Sequence, residues 1–155
     1  LELIVRDHKG DVTHHSSQYV TQEQLEVVVG VDTSGSISNQ ELKEFLREVI
    51  AIAKSYDQVK MWVIPCDAEV QDVYPVQNGG IQQIAKIKMK GGGGTDFRPV
   101  FEYINEHIRN CKILIYLTDG YGDFPEQPPR YHTIWVVSKD GLESERFPFG
   151  TVLRL

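Results

Sequence analysis

Residues 25–38 read L-E-V-V-V-G-V-D-T-S-G-S-I-S, and the order of apolar and oxygen-bearing side chains in this stretch decides the fold. Val27 to Val31 is a β-branched run broken only by Gly30. A short run of this kind suits a strand covered on both faces, as in a parallel sheet. The run stops at Asp32, and Ser34 and Ser36 follow at alternate positions. One carboxylate and two hydroxyls thus gather at the carboxyl end of a central strand. They are hard oxygen donors of the kind Mg²⁺ or Ca²⁺ accepts.

Two later stretches fit the same place. Gly91 to Asp96 is G-G-G-G-T-D, a glycine loop that delivers another hydroxyl, Thr95. Ile113 to Gly120 is I-L-I-Y-L-T-D-G, a second buried-strand pattern ending in Asp119. If the two strands are parallel neighbours, Asp32 and Asp119 leave the sheet side by side. Two like charges roughly 5 Å apart repel by about 3 kcal/mol at an effective dielectric near 20. A divalent cation between them turns that repulsion into attraction.

The set D-x-S-x-S (Asp32, Ser34, Ser36), a Gly-flanked Thr95 and a strand-terminal T-D-G (Asp119) resembles the metal-ion-dependent adhesion site of von Willebrand factor A (VWA) domains. The stretches C-D-A-E-V (66–70), G-G-G-G-T-D-F-R-P-V-F (91–101) and Y-L-T-D-G-Y-G-D-F-P (116–125) resemble a bacterial subfamily, the VWA-like domain found C-terminal to metallopeptidase-like domains. The resemblance implies that Ser34 and Ser36 bind Mg²⁺ directly, with Mn²⁺ or Ca²⁺ as alternatives. It implies that Thr95 binds directly in one state, and Asp32 and Asp119 directly or through water. It further implies an open coordination position for an Asp or Glu carboxylate from a partner protein. VWA-like domains of this type are often associated with MoxR-type AAA+ ATPases, so such an ATPase is an implied partner.

The whole chain bounds this reading. It has 155 residues and a formal charge of −6, with ordinary globular composition. The length suits one domain able to bury about two-thirds of its surface. The acidic balance and the lack of a Lys/Arg cluster argue against nucleic acid. No segment has transmembrane length and no signal peptide is visible, so no membrane partner is expected, and any targeting signal would lie outside this chain. The chain opens on Leu, which reads as a fragment of a longer protein, a bacterial one as the resemblance implies. Cys66 and Cys111 stand far apart with no C-x-x-C, and reduced, buried thiols in a cytoplasmic protein are expected.

Residues 1–24 carry His8, His14 and His15 without any zinc spacing, and read as a solvated N-terminal extension or the remnant of an upstream domain. Residues 25–155 read as the VWA-like domain. Ser38 with Glu41 forms an S-x-x-E capping box for a helix over 38–56, packed through Leu42, Phe45, Leu46, Val49 and Ile50. Val59 to Pro65 is a second strand; a short turn containing Asp67 leads to an antiparallel return over 69–74. Asp67 reads as a turn former rather than a ligand. A short helix is expected over 81–87 and another over 98–109, with Asp96 as its N-cap and Pro99 in its first turn. Strands follow over 112–117, 133–137 and 151–155, and 140–149 is too short for a crossover helix. Tyr121 and Phe124 have two equal readings, a grip on a partner or a lid packed downward.

The expected architecture is an α/β, Rossmann-like open sheet, mostly parallel with one antiparallel edge strand and helices on both faces. The order 3-2-1-4-5-6 puts the first and fourth strands together at the topological switch point, where open α/β sheets bind ligands. The expected function is a metal-dependent protein-binding module, not an enzyme. Three alternatives compete with it. The chain could belong to a metallopeptidase whose catalytic domain lies upstream, since it has no H-E-x-x-H of its own. It could be a Mg²⁺-dependent phosphoryl-transfer enzyme, although Ser34 stands where a second carboxylate would be needed and the glycine loop lacks a G-K-[ST] lysine. The site could also have become purely structural, without metal.

Overall fold

A computed structural model describes residues 25–34, 37–55, 59–76, 87–89 and 94–155. The expectations for residues 1–24, for Ser36 and for all but the last residue of the 81–87 helix lie outside the described residues. The elements are β1 (Leu25–Asp32), α1 (Asn39–Lys54), β2 (Val59–Cys66), β3 (Tyr74–Val76), α2 (Arg98–His107), β4 (Cys111–Thr118), β5 (His132–Val137) and β6 (Thr151–Arg154).

They form a six-stranded sheet of order β3-β2-β1-β4-β5-β6. Every pairing is parallel except β2 with β3. The central strand β1 is buried on both faces, as its unbroken apolar run requires. Val27, Val29 and Val31 belong to an aliphatic core with Leu42, Phe45, Leu46 and Val49 of α1. Val28 belongs to the opposite core with Val100, Phe101 and Ile104 of α2. Each fully buried side chain of this size is worth on the order of 2 kcal/mol of transfer free energy.

The start of α1 follows the capping box. Ser38 Oγ accepts from Glu41 N at 3.1 Å, and Glu41 Oε1 accepts from Ser38 N at 3.2 Å. The start of α2 differs from expectation. Its N-cap is Phe97, whose ring is buried in the core, and no side chain caps it in the usual position. Asp96 still satisfies one helix donor, accepting from Arg98 N at 3.0 Å. The return strand β3 is shorter and later than the expected 69–74. Asp67 Oδ1 accepts from Glu69 N at 3.1 Å, so the turn role holds, and only an isolated bridge, Cys66 to Val70, precedes β3. Pro75 sits in an edge strand, where a missing donor is tolerated.

The two sheet faces are built differently. On the α2 face, Tyr116 and Trp135 stack with centroids 5.3 Å apart, and Phe97 meets both edge-on at 5.1 and 5.3 Å. No long helix joins β5 to β6. Residues 138–150 make one 3-10 turn, Ser144–Arg146, and cover the sheet with Leu142, Phe147 and Phe149 instead. Trp135 Nε1 donates to Phe149 O at 2.9 Å and ties this cover to the sheet.

Candidate metal centre at the β1–β4 switch point

Register sets the site. Val31 is paired with Leu117, so the next residues, Asp32 and Thr118, end β1 and β4 side by side. Asp119 stands one residue beyond. Asp32 is fully buried, and its two oxygens have different neighbours. Oδ1 accepts from Ser34 N at 3.0 Å, from Ser34 Oγ at 2.7 Å and from Thr95 Oγ1 at 3.3 Å. Oδ2 accepts from Thr118 Oγ1 at 2.5 Å. Ser34 Oγ and Thr95 Oγ1 also touch each other. Two of the expected hydroxyls, from segments 61 residues apart in sequence, therefore meet on one carboxylate oxygen.

Thr95 is held by main-chain bonds on two sides. Asp123 N donates to Thr95 O at 3.2 Å and Phe97 N donates to Asp123 O at 3.0 Å. Asp96 N donates to Asp67 O at 3.0 Å. The described end of the glycine loop is thus stitched to both the β2–β3 turn and the loop after Asp119. Asp119 is half-buried and directly follows the end of β4. Its Oδ1 accepts from Tyr121 N at 3.1 Å, and its carbonyl accepts from Leu142 N at 2.7 Å.

Electrostatics follow from this placement. Burial pushes the Asp32 carboxyl above its ordinary value of 3.8. Hydrogen bonds from Thr118 and Ser34 pull the other way, and the Asp119 charge adds to the rise. Among the described residues no Lys or Arg pairs with Asp32. The donor chemistry fits a hard cation: a buried carboxylate, a second carboxylate close enough to repel it, and two hydroxyls converging on the first. Among the described residues no group of three or more His, Cys, Asp or Glu gathers, so the cluster is hydroxyl-rich rather than zinc-like.

Of the five sequence candidates, Asp32, Ser34 and Thr95 are in mutual contact, and Asp119 is near enough for its charge to act on Asp32. Ser36 lies outside the described residues. Sequence reasoning overlooked two supporting residues. Thr118 binds Asp32, and the T of T-D-G was the available signal. Gln71 Nε2 donates to Thr33 Oγ1 at 2.7 Å, bracing the turn after β1 from the β2–β3 segment, and nothing local in the sequence points to it. The paired readings of Tyr121 and Phe124 separate. Phe124 packs on Phe97, Trp135 and Phe147, whereas Tyr121 is 57 % exposed. Cys66 and Cys111 are free, buried thiols, and no helix among the described residues is long and apolar enough to cross a membrane.

An uncharacterized protein of Thermotoga maritima is 30% identical over 95 residues, which cover 61% of this chain and 23% of that protein. The chain thus spans about a quarter of the curated relative it matches. The family described as VWA-like domain (DUF2201) matches residues 27–155, from the first buried valine of β1 to the last residue, and the chain belongs to that family.

Proposed function

We propose that this domain is a protein-binding module that uses a divalent cation, Mg²⁺ first, to capture a carboxylate of a partner protein. The observation that carries the reading is the convergence of Ser34 Oγ and Thr95 Oγ1 on Asp32 Oδ1 at the switch point, within reach of the Asp119 charge. Asp32, Ser34, Thr95 and Asp119, with Ser36, are the residues that would hold the ion. The bound ion would supply a Lewis-acidic position for an Asp or Glu side chain. The chain's own residues do the rest. Thr118 orients Asp32, the stitched 95–97 segment fixes Thr95, and the Tyr121 N–H orients Asp119.

A MoxR-type AAA+ ATPase is the proposed partner class for the longer protein, and a metallopeptidase-like region is proposed upstream of this domain. Two buried, reduced thiols agree with a cytoplasmic setting. Calorimetric titration of Mg²⁺, Mn²⁺ and Ca²⁺ tests the metal. Wild type should bind Mg²⁺, and Asp32→Ala should not. Capture of a partner should disappear in EDTA and in Asp32→Ala. Partner binding that survives both removes the reading. Turnover of a simple phosphate ester by the metal-loaded domain would favour phosphoryl transfer instead.

A further inference from the structure

Thr118 and Asp119 carry the β4 side of the candidate metal centre, and one turn holds both of their carbonyls. The parallel ladder runs one residue past β5, with Ser138 N donating to Thr118 O at 3.1 Å. The chain then turns back, Gly141 N donating to Ser138 O at 2.9 Å and Leu142 N to Asp119 O at 2.7 Å. The turn is pressed onto the strand end. A Cβ on Gly141 would stand 2.6 Å from Asp119 O and 2.5 Å from Val137 Cγ1, so only a bare backbone fits.

Arg154 closes this turn from the edge of the sheet. It is the register partner of Val137 on β6, and just beyond it Leu155 N donates to Val137 O at 2.9 Å. Its guanidinium spans the turn. Nη1 donates to Leu142 O at 2.8 Å and to Ser144 Oγ at 3.1 Å, and Nη2 donates to Gly141 O at 2.9 Å. Among the described residues no carboxylate forms a salt bridge with it. The fork is spent on the carbonyls of two consecutive residues, a grip that a single ammonium does not reproduce. Leu142 is thus held twice, its carbonyl by Arg154 and its N–H by the Asp119 carbonyl. A continuous line of bonds runs from the outermost strand to the residue that carries the second carboxylate.

We infer that Arg154 is a positioning residue for the metal centre: by clamping the 141–144 turn it fixes the main chain of Asp119, and with it the second carboxylate offered to the cation. The inference rests on the metal-dependent reading proposed above.

The test uses the full chain with Arg154→Gln, Arg154→Lys and, as a control on the same strand, Thr151→Ala, which removes the side-chain bond between β6 and His132. Calorimetry should show Arg154→Gln binding Mg²⁺ about tenfold more weakly than wild type. Charge alone gives the opposite sign, since removing a positive group favours a nearby divalent cation. Arg154→Lys should fall between the two, and Thr151→Ala should match wild type. Hydrogen exchange in EDTA should be faster at the Leu142 amide of Arg154→Gln than in wild type. Wild-type Mg²⁺ affinity in Arg154→Gln, or unchanged exchange at Leu142, overturns the positioning role and leaves the metal reading standing. An equal loss in Thr151→Ala assigns the effect to β6 as a whole and also overturns the role. Should Arg154→Gln fail to fold, Arg154→Lys decides: weaker Mg²⁺ binding than wild type supports the role, and equal binding overturns it. Failure of wild type to bind Mg²⁺ overturns the metal reading and the inference with it.

Discussion

Thr118 Oγ1 donates to Asp32 Oδ2 at 2.5 Å across the β1–β4 seam and accepts from Gly120 N at 2.9 Å. One hydroxyl therefore links the carboxylate of the first strand to the loop that carries the second. Thr118→Val keeps the shape and removes both bonds. Leaving buried partners unsatisfied costs about 1–3 kcal/mol, and loss of a residue orienting a metal ligand typically costs 10- to 100-fold in affinity. Denaturant midpoints and Mg²⁺ calorimetry on the same preparation should show both losses. A variant with wild-type Mg²⁺ affinity would remove Thr118 from the positioning role.

Asp32 is expected to trade stability for binding. A carboxyl whose folded value is raised contributes most below its unfolded value of 3.8, and that contribution is lost as pH rises through the folded value. At neutral pH the buried charge therefore weakens the metal-free fold. Asp32→Asn should raise the unfolding free energy obtained from urea titration in EDTA by about 1 kcal/mol, and should erase any stabilisation by Mg²⁺. A lower midpoint in EDTA would show that the charge supports the fold.

Asp96 has the opposite sign. The hydrogen-bonded Arg98 guanidinium holds its carboxyl below 3.8. Such a group adds stability above 3.8 and loses it as pH falls through the lower folded value. The pair is largely open to solvent, so its effect is small. Arg98→Gln should unfold at slightly lower temperature than wild type near pH 6, and the gap should close as pH drops below 3.8. A gap that stays constant through that window would assign the loss to something other than the Asp96 charge.

Gly30 and Tyr116 are register partners on β1 and β4, and a Cβ on Gly30 would lie 3.0 Å from Tyr116 Cδ2. The ring needs that space to stack on Trp135. Gly30→Ala should destabilise by about 1–3 kcal/mol through overpacking, and a second change, Tyr116→Leu, should recover part of it. Simple additivity in this double-mutant cycle would show that the ring is not what Gly30 accommodates.

Burial pushes the Cys66 and Cys111 thiols up to about 12. Their thiolate fraction in the folded chain is then negligible near pH 8. Iodoacetamide should label neither in native protein and both in urea. Rapid native labelling of Cys66 would mean that the layer under Asp32 opens readily.

The sequence by itself determined the parallel strands, the capping box and the type of donor at each strand end, while it placed the antiparallel return strand too early. Those features are local: a β-branched run marks a buried strand, and a carboxylate that closes the run must leave the sheet at its carboxyl edge. Tertiary structure alone decided that Thr118 grips Asp32, that Gln71 braces Thr33, that Phe124 folds inward while Tyr121 stays out, and that Asp96 binds Arg98 one residue before the cap. Each of those outcomes depends on strand register and on how closely two segments distant in sequence approach, and neither quantity is written in any window of neighbouring residues.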